Sequence, residues 1–207
     1  MPSLNKEEIS LLKKLNTPIK IQDYLDSLPI NWEKKGETYM SVRKTLEAQK
    51  SHCFEGALIA AAALMLQGKT PLLMDLKTSE GDDHVIALYK VNDYWGAISK
   101  TNHATLRFRD PVYRNIHELA LSYFHEYFNN TTGKKILKSY SKPFNLKKYT
   151  NEWLISEKQL FHIADALDNS THYELIPEEN KKHIRKADTM EKRAGSLIEW
   201  PESDPLT

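Results

Sequence analysis

Between Ser51 and Gly68 the chain reads Ser-His-Cys-Phe-Glu-Gly-Ala-Leu-Ile-Ala-Ala-Ala-Ala-Leu-Met-Leu-Gln-Gly. Ser51 suits an N-cap and Gly68 the C′ position, so both ends of a helix are signalled. From Ala57 to Leu66 the segment is apolar on every side, the pattern of a helix enclosed by protein rather than one lying on a surface. It is too short to cross a bilayer, and Lys69-Thr70-Pro71 ends it. A globular core must therefore be built around it. The single cysteine of the chain, Cys53, falls in its first turn. There the unpaired N–H groups and the positive end of the helix dipole favour a thiolate.

With 207 residues, 40% hydrophobic and 28% charged, the chain is expected to form one domain with an ordinary soluble core. A formal net charge of +1 gives no general argument for nucleic acid or membrane as partner. One cysteine excludes an internal disulfide and any multi-cysteine zinc site. Met1-Pro-Ser-Leu-Asn-Lys-Glu-Glu lacks the basic and apolar regions of a signal peptide. The expected compartment is the reducing cytoplasm.

Around the central helix, residues 4–15 carry helical spacing with Ser3 as cap, and Ile19 to Leu28 reads as a second helix or a strand-like segment. Val42 to Gln49 reads as a third helix. Pro71 to Lys77, His84 to Lys90 and Tyr94 to Lys100 are strands, the last two joined around Val91-Asn-Asp93. Ala104 to Arg109 is a further strand closed by Asp110-Pro111. Asn115 to Tyr127 is an amphipathic helix, and the Lys-rich stretch 131–149 a linker. Glu152 to Leu167 and Glu178 to Leu197 are helices, and 201–207 a frayed tail. The expected fold class is α+β: a helical N-terminal segment and a buried cysteine-bearing helix on a small antiparallel sheet. The core spans 1–130, and a helical extension over 131–207 packs on it within one domain.

A working thiol needs a base to take its proton and a group to hold the imidazole. Among eight histidines, His84 is best placed, opening a strand just after an acidic loop. The order of cysteine at a helix start, histidine at a strand start and a polar residue on the next strand resembles the transglutaminase-like branch of the papain-like cysteine enzymes. Ser51-His-Cys53-Phe-Glu-Gly-Ala57, Asp83-His84-Val-Ile-Ala-Leu-Tyr89 and Tyr94-Trp95-Gly96-Ala97 carry that likeness, over roughly Ile21 to Asp110. The resemblance implies a papain-like core, Cys53 as nucleophile and His84 as general base. It implies a cysteine hydrolase or acyltransferase acting on an amide or peptide bond, with a peptide or protein substrate as partner.

The family's third residue, an Asp on the following strand, has no counterpart here. Ser99 stands near its position, Asn102 lies three residues on, and Asp110 is a further choice; Asn102 is the expected one. The Cys53 amide is the expected oxyanion donor, with Gln49 as a second candidate and Trp95 as a cleft wall. His52, Cys53, His84 and His103 lack a recognised metal-ligand spacing, and no phosphate-cradling glycine loop occurs, so neither metal nor cofactor is expected. His117 and His125 read as structural. The lysines of 134–148, interleaved with aromatics, read as a solvated connector rather than a nucleic-acid site. The alternative function is a degenerate module that keeps the fold and binds a peptide or protein partner.

Overall fold

The computed structural model describes residues 3–199. Four helices open the chain: α1 (Lys6–Lys14), α2 (Pro18–Ser27), α3 (Val42–Ala48) and α4 (Cys53–Leu66). Strands β1 (Leu72–Thr78), β2 (His84–Val91), β3 (Tyr94–Ile98) and β4 (Arg109–Tyr113) follow, then α5 (Ile116–Leu121). The remainder is β5 (Leu137–Ser141), β6 (Phe144–Asn145), α6 (Glu152–Ile155), α7 (Phe161–Asp168), β7 (His172–Glu174) and α8 (Thr189–Gly195). The fold is α+β, and its sheet is antiparallel throughout.

α4 is the centre. From Phe54 to Leu64 every residue is buried, and the small side chains of Ala60 to Ala63 let the helix lie close on β2. Leu58, Ile59 and Leu64 are fully enclosed, each worth roughly 1.5–3 kcal/mol over leaving it in water. The end signal at Gly68 holds: its φ of 79° is a left-handed value that costs glycine little. The start signal does not. The N-cap is His52 rather than Ser51, because Ser51 bridges to Ile30 as extended chain.

The sheet order is β4-β3-β2-β1-β5-β7, with β6 also on β1. β2 and β3 are joined by Asn92-Asp93, with φ of 47° and 66°, the positive pair a two-residue type I′ turn demands. That turn sets Ala87 opposite Ile98 and Val91 opposite Tyr94. Both faces are covered. Leu73, Ala87, Tyr89 and Ile98 join α4 in one core, and Met74, Ile86, Leu88 and Ala97 join Leu119 and Tyr123 in a second. Strands buried on both faces read as continuous apolar runs, which is how β1 and β2 read.

Several expectations are corrected. The 131–149 stretch is not a linker: β5 pairs with β1 through Leu76 and Tyr140. Leu137, Ser139 and Ser141 are buried while Lys138 is exposed, a period of two that the lysines obscure. The expected strand over Ala104–Arg109 is instead a 3-10 turn at Ala104–Leu106, with β4 beginning at Arg109 and containing Asp110-Pro111. An edge strand tolerates that proline, since its missing N–H is owed to no neighbour. The long helices expected over 115–127, 152–167 and 178–197 are each shorter or broken. α6 and α7 do not pack on α5: Trp153, Leu154, Leu160, Ile163 and Leu167 belong with α4, whereas α5 lies in the other core. The tail 201–207 lies outside the described residues.

Candidate active site

Cys53 is the first residue of α4, so its N–H is one of the donors a helix start leaves without an intrahelical partner. Two imidazoles act on its thiol. The nearer in sequence, His52, caps the helix: Phe54 N–H donates to His52 Nδ1 at 3.3 Å, and the His52 backbone N–H donates to the Glu55 carboxylate at 3.1 Å. The Cys53 Sγ lies 4.0 Å from the same Nδ1. His52 Nε2 is 2.6 Å from Thr38 O and 3.4 Å from Glu55 Oε1.

Glu55 is completely buried. It is tolerated because Thr38 Oγ1 donates to it at 2.8 Å, Asn31 Nδ2 at 3.2 Å and Met40 N–H at 3.3 Å, replacing the water it lost. Burial pushes the Glu55 carboxyl up, but the bonds and charge of His52 and the Thr38 donor outweigh it, and it ends below its ordinary value. Burial likewise pushes His52 down, and Cys53 and Glu55 more than reverse that.

The second imidazole is His84, the first residue of β2 and buried. Its Nε2 is 2.6 Å from Ser99 Oγ. The Ser99 hydroxyl donates to Leu106 O at 3.0 Å, so the same oxygen must accept from His84. Nε2 is therefore the nitrogen that donates to Ser99, and Nδ1 is the one left to exchange a proton. Ser99 is itself clamped, for Gln22 on α2 accepts from its N–H at 3.0 Å and donates to its C=O at 2.9 Å. Burial alone would push the Cys53 thiol up; bonding and charge from His52 and His84 carry it well below its ordinary value.

Cys53, His52 and His84 share a cavity of about 510 Å³ with Lys100, Thr101, Asn102, His103 and Tyr127. Asn102 thus lines the site, but it does not hold the imidazole. The hydrogen bond it makes runs from Glu199 N–H to its backbone oxygen, and His84 is held by Ser99. Asp110 is exposed on the edge strand β4, Gln49 turns its amide to Leu46 O, and Trp95 stacks under Lys90; the cavity wall includes none of the three. His103 lines it, and burial lowers its pKa, with the neighbouring His84 lowering it further.

Residues with no signal of their own complete the site. Lys100 is fully buried, its ammonium donating to Leu28 O, and burial lowers its pKa. Gly56 makes room for it, since a Cβ there would stand 2.5 Å from Lys100 Cβ. Gln22 sits on a helix face where only the apolar residues stand out. A second cavity of about 430 Å³, which shares His52 and Cys53 with the first, is lined by Glu33, Asp75, Asp83 and Asp168 among others. Asp75, Asp83 and Asp168 bring carboxylate oxygens within 4.8 Å of one another. Lys77 pairs with Asp168 at 2.8 Å, and His172 Nε2 lies 3.0 Å from Asp75 Oδ2.

No family model matches the chain, and no curated protein compared with it is similar. Among the described residues no helix is long and apolar enough to cross a membrane.

Proposed function

We propose that the protein is a cysteine hydrolase or acyltransferase of the transglutaminase-like kind, with Cys53 as nucleophile and His84 as base. The observation that carries this reading is the Ser99 contact, which engages His84 Nε2 and leaves Nδ1 as the ring nitrogen to exchange a proton with the thiol, with both residues on one cavity. His52 is the less available base, because Phe54 N–H already occupies its Nδ1 and Thr38 O its Nε2.

In the proposed cycle the Cys53 proton passes to His84, and the thiolate adds to the carbonyl carbon of an amide. The Cys53 N–H stabilises the resulting oxyanion. The C–N bond then breaks, the leaving amine taking the proton from His84. Water or a second amine, deprotonated by His84, attacks the thioester and releases Cys53 as thiolate. Protein or peptide amides are the proposed substrates, and the arrangement calls for neither metal nor cofactor.

A second reading, a degenerate binding module, is favoured by the neutral Ser99 standing where an acidic residue would hold the imidazole. Mass spectrometry after incubation with an activated ester separates the two. The enzyme reading expects an acyl adduct on Cys53, absent in Cys53→Ala and lost on adding an amine or on standing in water. Absence of any adduct would leave only the binding module.

A further inference from the structure

The wall of the Cys53 cavity formed by Thr101 to His103 has a backbone edge, and the chain covers that edge itself. Ala104 N–H donates to Leu197 O at 3.1 Å, and Glu199 N–H donates to Asn102 O at 2.8 Å. Between these two bonds His103 and Ile198 form an antiparallel bridge. Residues 197–199 therefore lie as a short added strand on the segment that forms this wall of the Cys53 cavity. The strap is pinned at two points. Gly195 packs so tightly against the Phe128–Asn130 loop that a Cβ would stand 2.7 Å from Asn130 Oδ1, and the Glu199 carboxylate meets Arg107 Nη2 at 2.6 Å.

Apolar burial does not hold the strap. Leu197 is 67% exposed and Ile198 only half-buried. Backbone pairing plus one charged anchor is how an extended peptide joins a strand edge: the main chain gives affinity and the side-chain contacts give specificity.

We propose that the Asn102–Ala104 edge is the docking site for an extended peptide segment of a protein substrate, an apolar pair followed by an acidic residue. Leu197–Glu199 occupies that site in cis. This rests on the reading of Cys53 as a nucleophile for peptide amides and supplies its substrate subsite. Arg107 selects the acidic residue, and the edge sets the segment along the wall of the Cys53 cavity. The intramolecular strap competes at the high effective concentration of a tethered ligand, so an incoming segment must displace it.

The test uses the full-length chain and a fluorescein-labelled hexapeptide, Ala-Gly-Ser-Leu-Ile-Glu, the sequence of residues 194–199. Glu199→Arg sets like charges against each other at Arg107 and should loosen the strap. The peptide should then bind on the order of tenfold more tightly than to the wild type, with a smaller gain in Glu199→Gln. Hydrogen exchange at the Ala104 amide should speed up in Glu199→Arg and slow again when peptide is added. A peptide ending in Lys should show no such gain. Equal peptide affinity in wild type and both variants, or bound peptide that leaves Ala104 exchange unchanged, would overturn the proposal. The same titrations on Cys53→Ala keep the two readings apart. Peptide binding to that variant reads the edge without the thiol, and acylation of the wild type reads the thiol. Binding with an unreactive wild-type thiol supports the docking edge and removes the enzyme, whereas a reactive wild-type thiol with no peptide effect removes the docking edge alone.

Discussion

His84 Nε2 and Ser99 Oγ lie 2.6 Å apart, and because the Ser99 proton is committed to Leu106 O, this one contact fixes which nitrogen of the imidazole donates. Ser99→Ala should preserve the fold and cost acylation the worth of one neutral hydrogen bond, about fivefold to tenfold. His84→Ala should cost roughly 10²- to 10⁴-fold, the usual contribution of a general base. Single-turnover acylation rates check both. Equal losses in the two variants would assign Ser99 more than a positioning role.

His52 carries part of the depression of the Cys53 thiol. His52→Asn keeps a side chain that caps a helix well while removing the imidazole. The midpoint of a plot of alkylation rate against pH should therefore move upward. Circular dichroism should show α4 retained. An unmoved midpoint would leave His84 as the sole activating group.

Burial raises Asp75 from 3.8 to about 6. Its folded-state value lies above its unfolded one, so the folded protein binds this proton more tightly and the group opposes folding once pH exceeds both values. That penalty is of the order of 2–3 kcal/mol at full size. It should be present above pH 6 and fade as pH falls towards 4, in the window set by the same raised value. Asp75→Asn, which can still accept from His172, should raise the thermal midpoint at pH 7.5 by about 4–10 °C. The difference should vanish near pH 4. Thermal unfolding of both proteins across that range reads it directly.

Gly56→Ala would place a methyl 2.5 Å from Lys100 Cβ, in the first turn of the helix that carries Cys53. Overpacking of this kind costs about 1–3 kcal/mol, and the shift in Lys100 should slow acylation as well. A variant with unchanged midpoint and rate would mean that Lys100 can move aside freely.

Truncation after Asn130 removes β5 and β7 from one side of β1 and the fully buried Trp153 from the core around α4. The shortened chain should fail to fold, as judged by loss of its cooperative thermal transition. A soluble fragment with the same midpoint would contradict the shared core.

The parts legible in the sequence are those where local chemistry and burial agree. The all-round apolar pattern of Ala57 to Leu66 signals an enclosed helix, which is enclosed as far as Leu64 and opens at Met65 and Leu66. Asn92-Asp93 specifies both the turn and the register it sets. Carried on by three residues, that register places Thr101 opposite His84 and Ser99 diagonally from it on the same face, within side-chain reach. What the sequence hides is which neighbour the imidazole takes. That choice depends on Gln22, 77 residues away, which clamps the Ser99 backbone. β5 is hidden for a different reason: outward lysines mask an inward alternation that only its partner strand reveals.

The most direct measurement of the central claim is the second-order rate of Cys53 alkylation by iodoacetamide at pH 6, beside the same rate for free cysteine. The thiol is held well below its ordinary value, so the protein should react at least tenfold faster, since free cysteine is almost wholly protonated there. The advantage should shrink in His84→Ala. A rate equal to or below that of free cysteine, with the folded state intact, would contradict the account of Cys53 as an activated nucleophile.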